Sequence, residues 1–151
     1  MLTLIVYVFR NESLSYFAYY SLMNRYMNSL FDPDQIEINH RIRLFNNIFR
    51  SNDNELWNKI NLNEDNHLFI YRWLLLDCKR EFHRFYHILR VFELVWINSQ
   101  ISPSKAVFTI FVCISILQED RKKIFSYSNE DDLHKYFFSS SSSLRSYQST
   151  Q

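Results

Sequence analysis

Cys78, His83 and His87 carry side chains that can ligate a metal ion. The two histidines stand four apart, a spacing that puts both imidazoles on one helix face, as zinc sites often require. A fourth ligand is not identifiable, Cys78 sits in an apolar run, and Tyr86 and Ile88 flank His87 with core-like residues. Packed or surface histidines are therefore expected, with no metal and no cofactor. The second group capable of chemistry is charged: Arg72, Lys79, Arg80 and Glu81. Arg72 and Lys79 lie seven apart on what reads as one helix face, a surface that could meet an acidic partner, and Glu81 can cap or pair locally. The same residues would serve equally as a solvated face, where each ion pair is worth under about 1 kcal/mol. No Ser/His/Asp or Cys/His arrangement has the elbow or glycine context that nucleophilic catalysis uses.

Composition narrows the choice further. The 151 residues contain no glycine, where average usage of roughly 7% would give about ten. Phosphate-cradling loops of the GxGxxG or GxxxxGK kind are thus excluded, because their backbone geometry needs glycine. A formal net charge of +1 offers no electrostatic case for nucleic acid or an acidic bilayer. The 14 Phe, 10 Tyr and 3 Trp could stack on bases, but such platforms come with a basic groove, and most rings fall at helical core spacing. Cys78 and Cys113 make no disulfide framework and read as buried free thiols in a reducing compartment. Met1 to Phe9 is apolar but too short to span a bilayer, and it lacks a basic region and small-residue site of a signal peptide. A buried core helix is expected there.

The elements that would position these residues are helical throughout. Leu2 to Phe9 reads as the end of one helix. Asn11 or Ser13 can cap a second, which carries Leu14, Phe17, Ala18, Leu22 and Tyr26 at helical spacing. Asp32-Pro33-Asp34 supplies a stop, and Pro33 suits the first turn of the next helix. There Ile38, Ile42, Phe45 and Phe49 form one stripe, with Glu37, Arg41 and Asn47 elsewhere. Asp53 can cap a short helix through Leu56, Trp57 and Ile60. The Asn-rich connector Asn61 to Asn66 opens a long helix near His67, apolar on most faces through Leu68–Leu76, as the central helix of a bundle would be. Further helices are expected from about Phe85 to Asn98, from Lys105 to Gln118, and around Leu133, Tyr136 and Phe137 after the acidic cap region Asn129–Asp132. From Ser139 a five-serine run reads as a flexible tail. The fold class is all-α: a single bundle of roughly seven or eight helices packed around Leu68–Leu76.

Within this frame Phe69, Arg72, Trp73, Leu75, Lys79, Arg80, Glu81 and Phe82 reproduce F-x-x-R-W-x-L-x-x-x-K-R-E-F, a segment common in TBC domains. Arg90, Val91, Phe92, Glu93 and Trp96 follow the family's R-[LI]-W-[ED]-x-x-W, with Phe92 where the family usually has Trp. Leu2, Leu4, Val6, Glu12, Tyr16, Phe17 and Tyr19 are similar to the family's preceding helix pair. The chain therefore resembles the last two-thirds or so of a TBC domain, the all-helical Rab GTPase-activating fold, from near Met1 to about Phe138. That resemblance implies a Rab-type small GTPase as partner, a role in vesicle traffic, and a cytoplasmic location, peripheral at endomembranes through the GTPase, without nucleic acid or membrane insertion.

Members of the family supply an arginine from I-x-x-D-x-x-R and a glutamine from Y-x-Q-G-M to the GTPase. Neither motif occurs in these residues. An arginine finger alone is worth roughly 10³–10⁵ in rate. The resemblance thus implies a GTPase-activator relative or fragment that is not itself an enzyme and lacks both fingers. The alternative is a non-catalytic helical module or scaffold for a small GTPase or another protein. Phe69, Arg72, Trp73, Lys79, Arg80, Glu81, Phe82, Arg90, Glu93 and Trp96 are the family-motif residues, structural or partner-facing.

Overall fold

The computed structural model describes residues 2–60, 67–82, 84–101 and 107–138. The Asn61–Asn66 connector, His83, residues 102–106 and the serine-rich tail lie outside them. All regular structure among the described residues is helical, as the periodicity implies. In chain order the α-helices are α1 (Leu2–Phe9), α2 (Glu12–Leu22), α3 (Ile36–Asn52), α4 (Asn54–Ile60), α5 (His67–Leu75), α6 (Phe85–Ile101), α7 (Val107–Glu119), α8 (Arg121–Ser126) and α9 (Glu130–Phe138). The chain divides into two compact units, Met1–Asn39 and His40–Gln151, with the boundary inside α3.

In the first unit α1 packs on α2, and α2 continues into a π-helical turn, Met23–Met27, and a 3-10 turn, Asn28–Phe31. Asn11 caps α2: its Oδ1 accepts from the Leu14 N–H at 3.0 Å. The burial pattern differs from the one periodicity suggests. Only Leu4 and Ile5 of α1 are buried, whereas Leu2, Val6, Tyr7, Val8 and Phe9 are exposed. In α2 the buried residue is Ser15, while Leu14 and Phe17 stand 54% and 65% exposed. An apolar helix fixes which side chains want cover, but its own pattern cannot choose the covered face when nearly every face is apolar. The helix after Pro33 begins only at Ile36, because Gln35 adopts φ 52 and interrupts the chain between them. Pro33 is therefore not in its first turn.

Along α3 the buried side chains are Ile38, Arg41, Phe45 and Phe49, with Ile42 half-buried. Arg41 follows Ile38 by three and precedes Phe45 by four, so helical spacing places it on the apolar stripe. Its assignment to another face is corrected on that geometry.

The second unit is built on α7, which packs against α5, α6 and α8, while α8 also meets α4. Its core includes Leu56, Phe69, Trp73, Leu74, Phe92, Ile110, Ile114, Leu117, Ile124 and Phe137. Asp53 caps α4 as expected, with Oδ1 accepting from the Leu56 N–H at 2.9 Å. Arg121 then joins Asp53 at 3.0 Å and also Glu55, and Lys59 Nζ donates to the Tyr127 carbonyl at 2.9 Å. These contacts tie α4 to the α8 region across some 68 residues of chain. Helix α8 itself has only six residues, too few for periodicity to announce.

Helix α5 is shorter than its apolar run. It stops at Leu75 in a turn where Asp77 and Cys78 take φ 48 and 56. The Cys78 N–H bonds the Trp73 carbonyl at 2.9 Å, a six-to-one closure that puts Asp77 at the left-handed position glycine usually holds. With no glycine available, an aspartate does this. Asp77 is fully buried, and its Oδ1 accepts from the Thr109 hydroxyl of α7 at 3.1 Å.

Candidate functional site

The segment from Phe69 to Trp96 crosses α5, the turn after it, a 3-10 turn over Lys79–Glu81, and most of α6. The structure sorts its motif residues into two groups with different surroundings. Phe69 and Trp73 belong to the core: the Phe69 ring stacks on Phe137 of α9 at 4.1 Å and meets Trp73 edge-on at 5.3 Å. Trp73 is 1% exposed. Arg72 donates from Nη2 to the Phe137 carbonyl at 3.0 Å and lies 3.7 Å from Glu81. Its guanidinium thus holds the end of α9 against α5, and Glu81 pairs locally, as the sequence suggests. Phe82 is half-buried. Phe92 is buried and packs against the half-buried Trp96 at 5.3 Å, so an aromatic ring persists where the family usually has Trp.

The second group faces solvent. Arg80, Arg84, Tyr86, His87, Arg90 and Glu93 are exposed, and Lys79 is half-buried. Tyr86 is the extreme at 73%. Arg90 and Glu93 pair at 2.5 Å, one turn apart on α6, and the bond to Glu93 raises the Arg90 pKa. Arg72 and Lys79 do not share a helix face, because the left-handed turn at Asp77 and Cys78 separates them. The surface that forms instead runs from the 3-10 turn into the start of α6 and is basic and aromatic. His87 lies on it. Among the described residues no group of three or more His, Cys, Asp or Glu side chains could hold a metal ion, and no helix is long and apolar enough to cross a membrane.

Sequence reasoning passed over Asp77 and Thr109, and it gave Phe137 to the last helix without its partner. Asp77 and Thr109 fix the turn to α7, and Phe137 supplies the ring on which Phe69 stacks. Tertiary partners of this kind leave no local signal, although a buried Asp beside Cys in a glycine-free chain marks a possible left-handed helix end.

Comparison with known proteins bears on all of these elements. The Rab-GTPase-TBC domain model matches residues 1–125. The chain belongs to the Rab-GTPase-TBC domain family. The match runs from α1 into α8 and includes every motif residue of the Phe69–Trp96 segment. Small G protein signaling modulator 2 of Mus musculus is 28% identical over 141 residues. That alignment takes in 91% of this chain and 13% of the modulator, so the chain spans a small part of its relative's length. No solved structure matches it significantly. The all-helical order found here fits a TBC domain, and the resemblance carried by Phe69–Phe82 and Arg90–Trp96 agrees with the family assignment.

Proposed function

We propose that this chain is the C-terminal portion of a TBC domain, residues 1–138 with a serine-rich tail from 139. It would bind a Rab-type small GTPase without accelerating GTP hydrolysis. The observation that carries this reading is the family match over 1–125 in a sequence holding neither I-x-x-D-x-x-R nor Y-x-Q-G-M. A small GTPase hydrolyses GTP slowly because its attacking water is poorly placed and transition-state charge is poorly neutralised. An activator of this family supplies one arginine and one glutamine to correct both. The described helices offer a docking face, with Arg80, Arg84, Tyr86 and His87 exposed beside one another in sequence, suited to an acidic partner surface. Action at the cytoplasmic side of endomembranes, reached through the GTPase, follows from the same reading.

Hydrolysis by a panel of Rab-type GTPases, with and without the purified chain, tests it. The expected outcome is less than tenfold stimulation, with measurable binding that weakens on Arg80→Glu. Stimulation of a hundredfold would overturn the reading, because about 2.7 kcal/mol of transition-state stabilisation would then need another source. Alanine substitution of the exposed arginines Arg10, Arg25 and Arg43 would locate it. Failure to bind any member of the panel would favour the runner-up, a helical scaffold for a different protein.

A further inference from the structure

Cys78 and Cys113 stand 35 residues apart in sequence, and their Sγ atoms lie 3.2 Å apart in the core. Both thiols are free and buried. Cys78 sits on the left-handed turn that ends α5, whereas Cys113 lies on the buried face of α7 with Ile110, Ile114 and Leu117. A second contact sets the same register: Asp77, one residue before Cys78, accepts from Thr109, one helical turn before Cys113. The pairing of turn with helix is thus fixed at two adjacent points. Bonding to Cys113 and burial push the Cys78 thiol well above its usual range, and either sulfur can donate its S–H to the other.

We propose that Cys78 and Cys113 form an oxidisable dithiol that closes to an intramolecular disulfide with hydrogen peroxide. Closure would bind the turn carrying Lys79, Arg80 and Glu81 covalently to α7. One thiol, deprotonated, takes an oxygen from peroxide to become a sulfenic acid, releasing hydroxide that the lost proton converts to water. The second sulfur then attacks the first, the S–S bond forms, and the sulfenic oxygen leaves as water. The two thiols lose two electrons and two protons in all, and one peroxide becomes two waters. Bringing the sulfurs from contact to a covalent length of about 2.05 Å requires roughly 1.2 Å of approach. Residues 76–78 lie outside regular helix, and the reaction requires this turn to open locally so that peroxide reaches Cys78. Buried thiols are shielded from oxidant and react slowly. The pair therefore responds to sustained peroxide rather than to a brief pulse, and the response does not depend on a GTPase partner.

The test exposes the intact 151-residue protein to peroxide under native conditions, then unfolds it in the presence of an alkylating agent. Intact mass and peptide mapping read the products. The expected product has lost the mass of two hydrogens, contains a Cys78–Cys113 cross-linked peptide, resists alkylation at both sites and reverts with dithiothreitol. Its melting temperature should rise, because the bond restrains the unfolded chain. Cys78→Ser and Cys113→Ser should each abolish the product and leave the other thiol alkylatable. The cross-linked peptide in the parent protein decides the matter even where a variant folds poorly. Three results would overturn the proposal: sulfinic or sulfonic acid on a single cysteine, disulfide-linked dimers, or thiols untouched at a peroxide dose that oxidises the same chain in urea.

Discussion

Trp73 shows how one family-motif residue serves the fold. It is 1% exposed, it meets Phe69 edge-on, and its carbonyl receives the Cys78 N–H that closes α5. Trp73→Ala should cost about 3–5 kcal/mol, as large aromatic truncations in cores do. A domain of this size has only about 5–15 kcal/mol of stability, so the variant should be partly unfolded at 37 °C. Arg90→Ala is the control, since its partner Glu93 is as exposed as Arg90 itself, and its unfolding midpoint should stay at the parent's. Urea titration of both variants checks this. Equal midpoints would show that the Phe69–Trp73 pair does not hold the core.

Helix α4 is held at its start by one carboxylate. Burial pushes the Asp53 pKa up, but the Leu56 N–H and the Arg121 guanidinium more than reverse this and leave it below 3.8. A carboxyl with a depressed folded pKa adds stability that is fully present above the unfolded value, near 3.9. That stability is lost as pH falls through the lower folded value. Asn caps a helix about as well as Asp, so Asp53→Asn removes the charge and keeps the cap. At pH 7 it should cost about 0.5 kcal/mol, within the range for a partly exposed pair. Thermal melts should converge with the parent as pH falls through the depressed folded value of the Asp53 carboxyl; a gap that stayed constant would assign the cost to packing instead. Legibility in the sequence also divides at this scale. The Asn11 and Asp53 caps and the span of α6 follow from local residue types, and the family motifs mark the Phe69–Trp96 segment. The early end of α5 and the exposure of Leu14 and Phe17 on α2 have no such local signal, whereas Arg41 is legible from its spacing to Ile38 and Phe45, with only its charge against it. For the site, the motif positions are readable, but their separation into core and surface depends on α9, whose Phe137 covers Phe69 from 68 residues away.

At the level of the whole molecule, the boundary between two compact units falls within the sequence of α3, and each unit covers its apolar side chains differently. The second unit buries rings from α3, α5, α6 and α9. The first leaves Tyr7, Phe9, Tyr16, Phe17 and Tyr20 more than 40% exposed, with Tyr16 and Tyr20 stacked 6.3 Å apart on α2. The residues of the two family motifs lie in the second unit, while the match to the family spans both.

The left-handed closures after α1 and α5, both made without glycine, are different candidates for engineering. Arg10 follows α1 with φ 48 and bonds the Val6 carbonyl at 2.9 Å, a left-handed closure that costs an L-residue roughly 1–2 kcal/mol. Arg10→Gly relieves that strain, and after the extra freedom of the unfolded chain is counted the gain should be about 0.5 kcal/mol or more. Asp77→Gly relieves a similar strain but deletes the acceptor for Thr109 in the core, so it should destabilise. Melting temperatures that rise for the first and fall for the second would support this, whereas two falls would show the strain to be negligible. The residue absent from this protein, usually blamed for loosening helices, would then be one of the simplest means of hardening it.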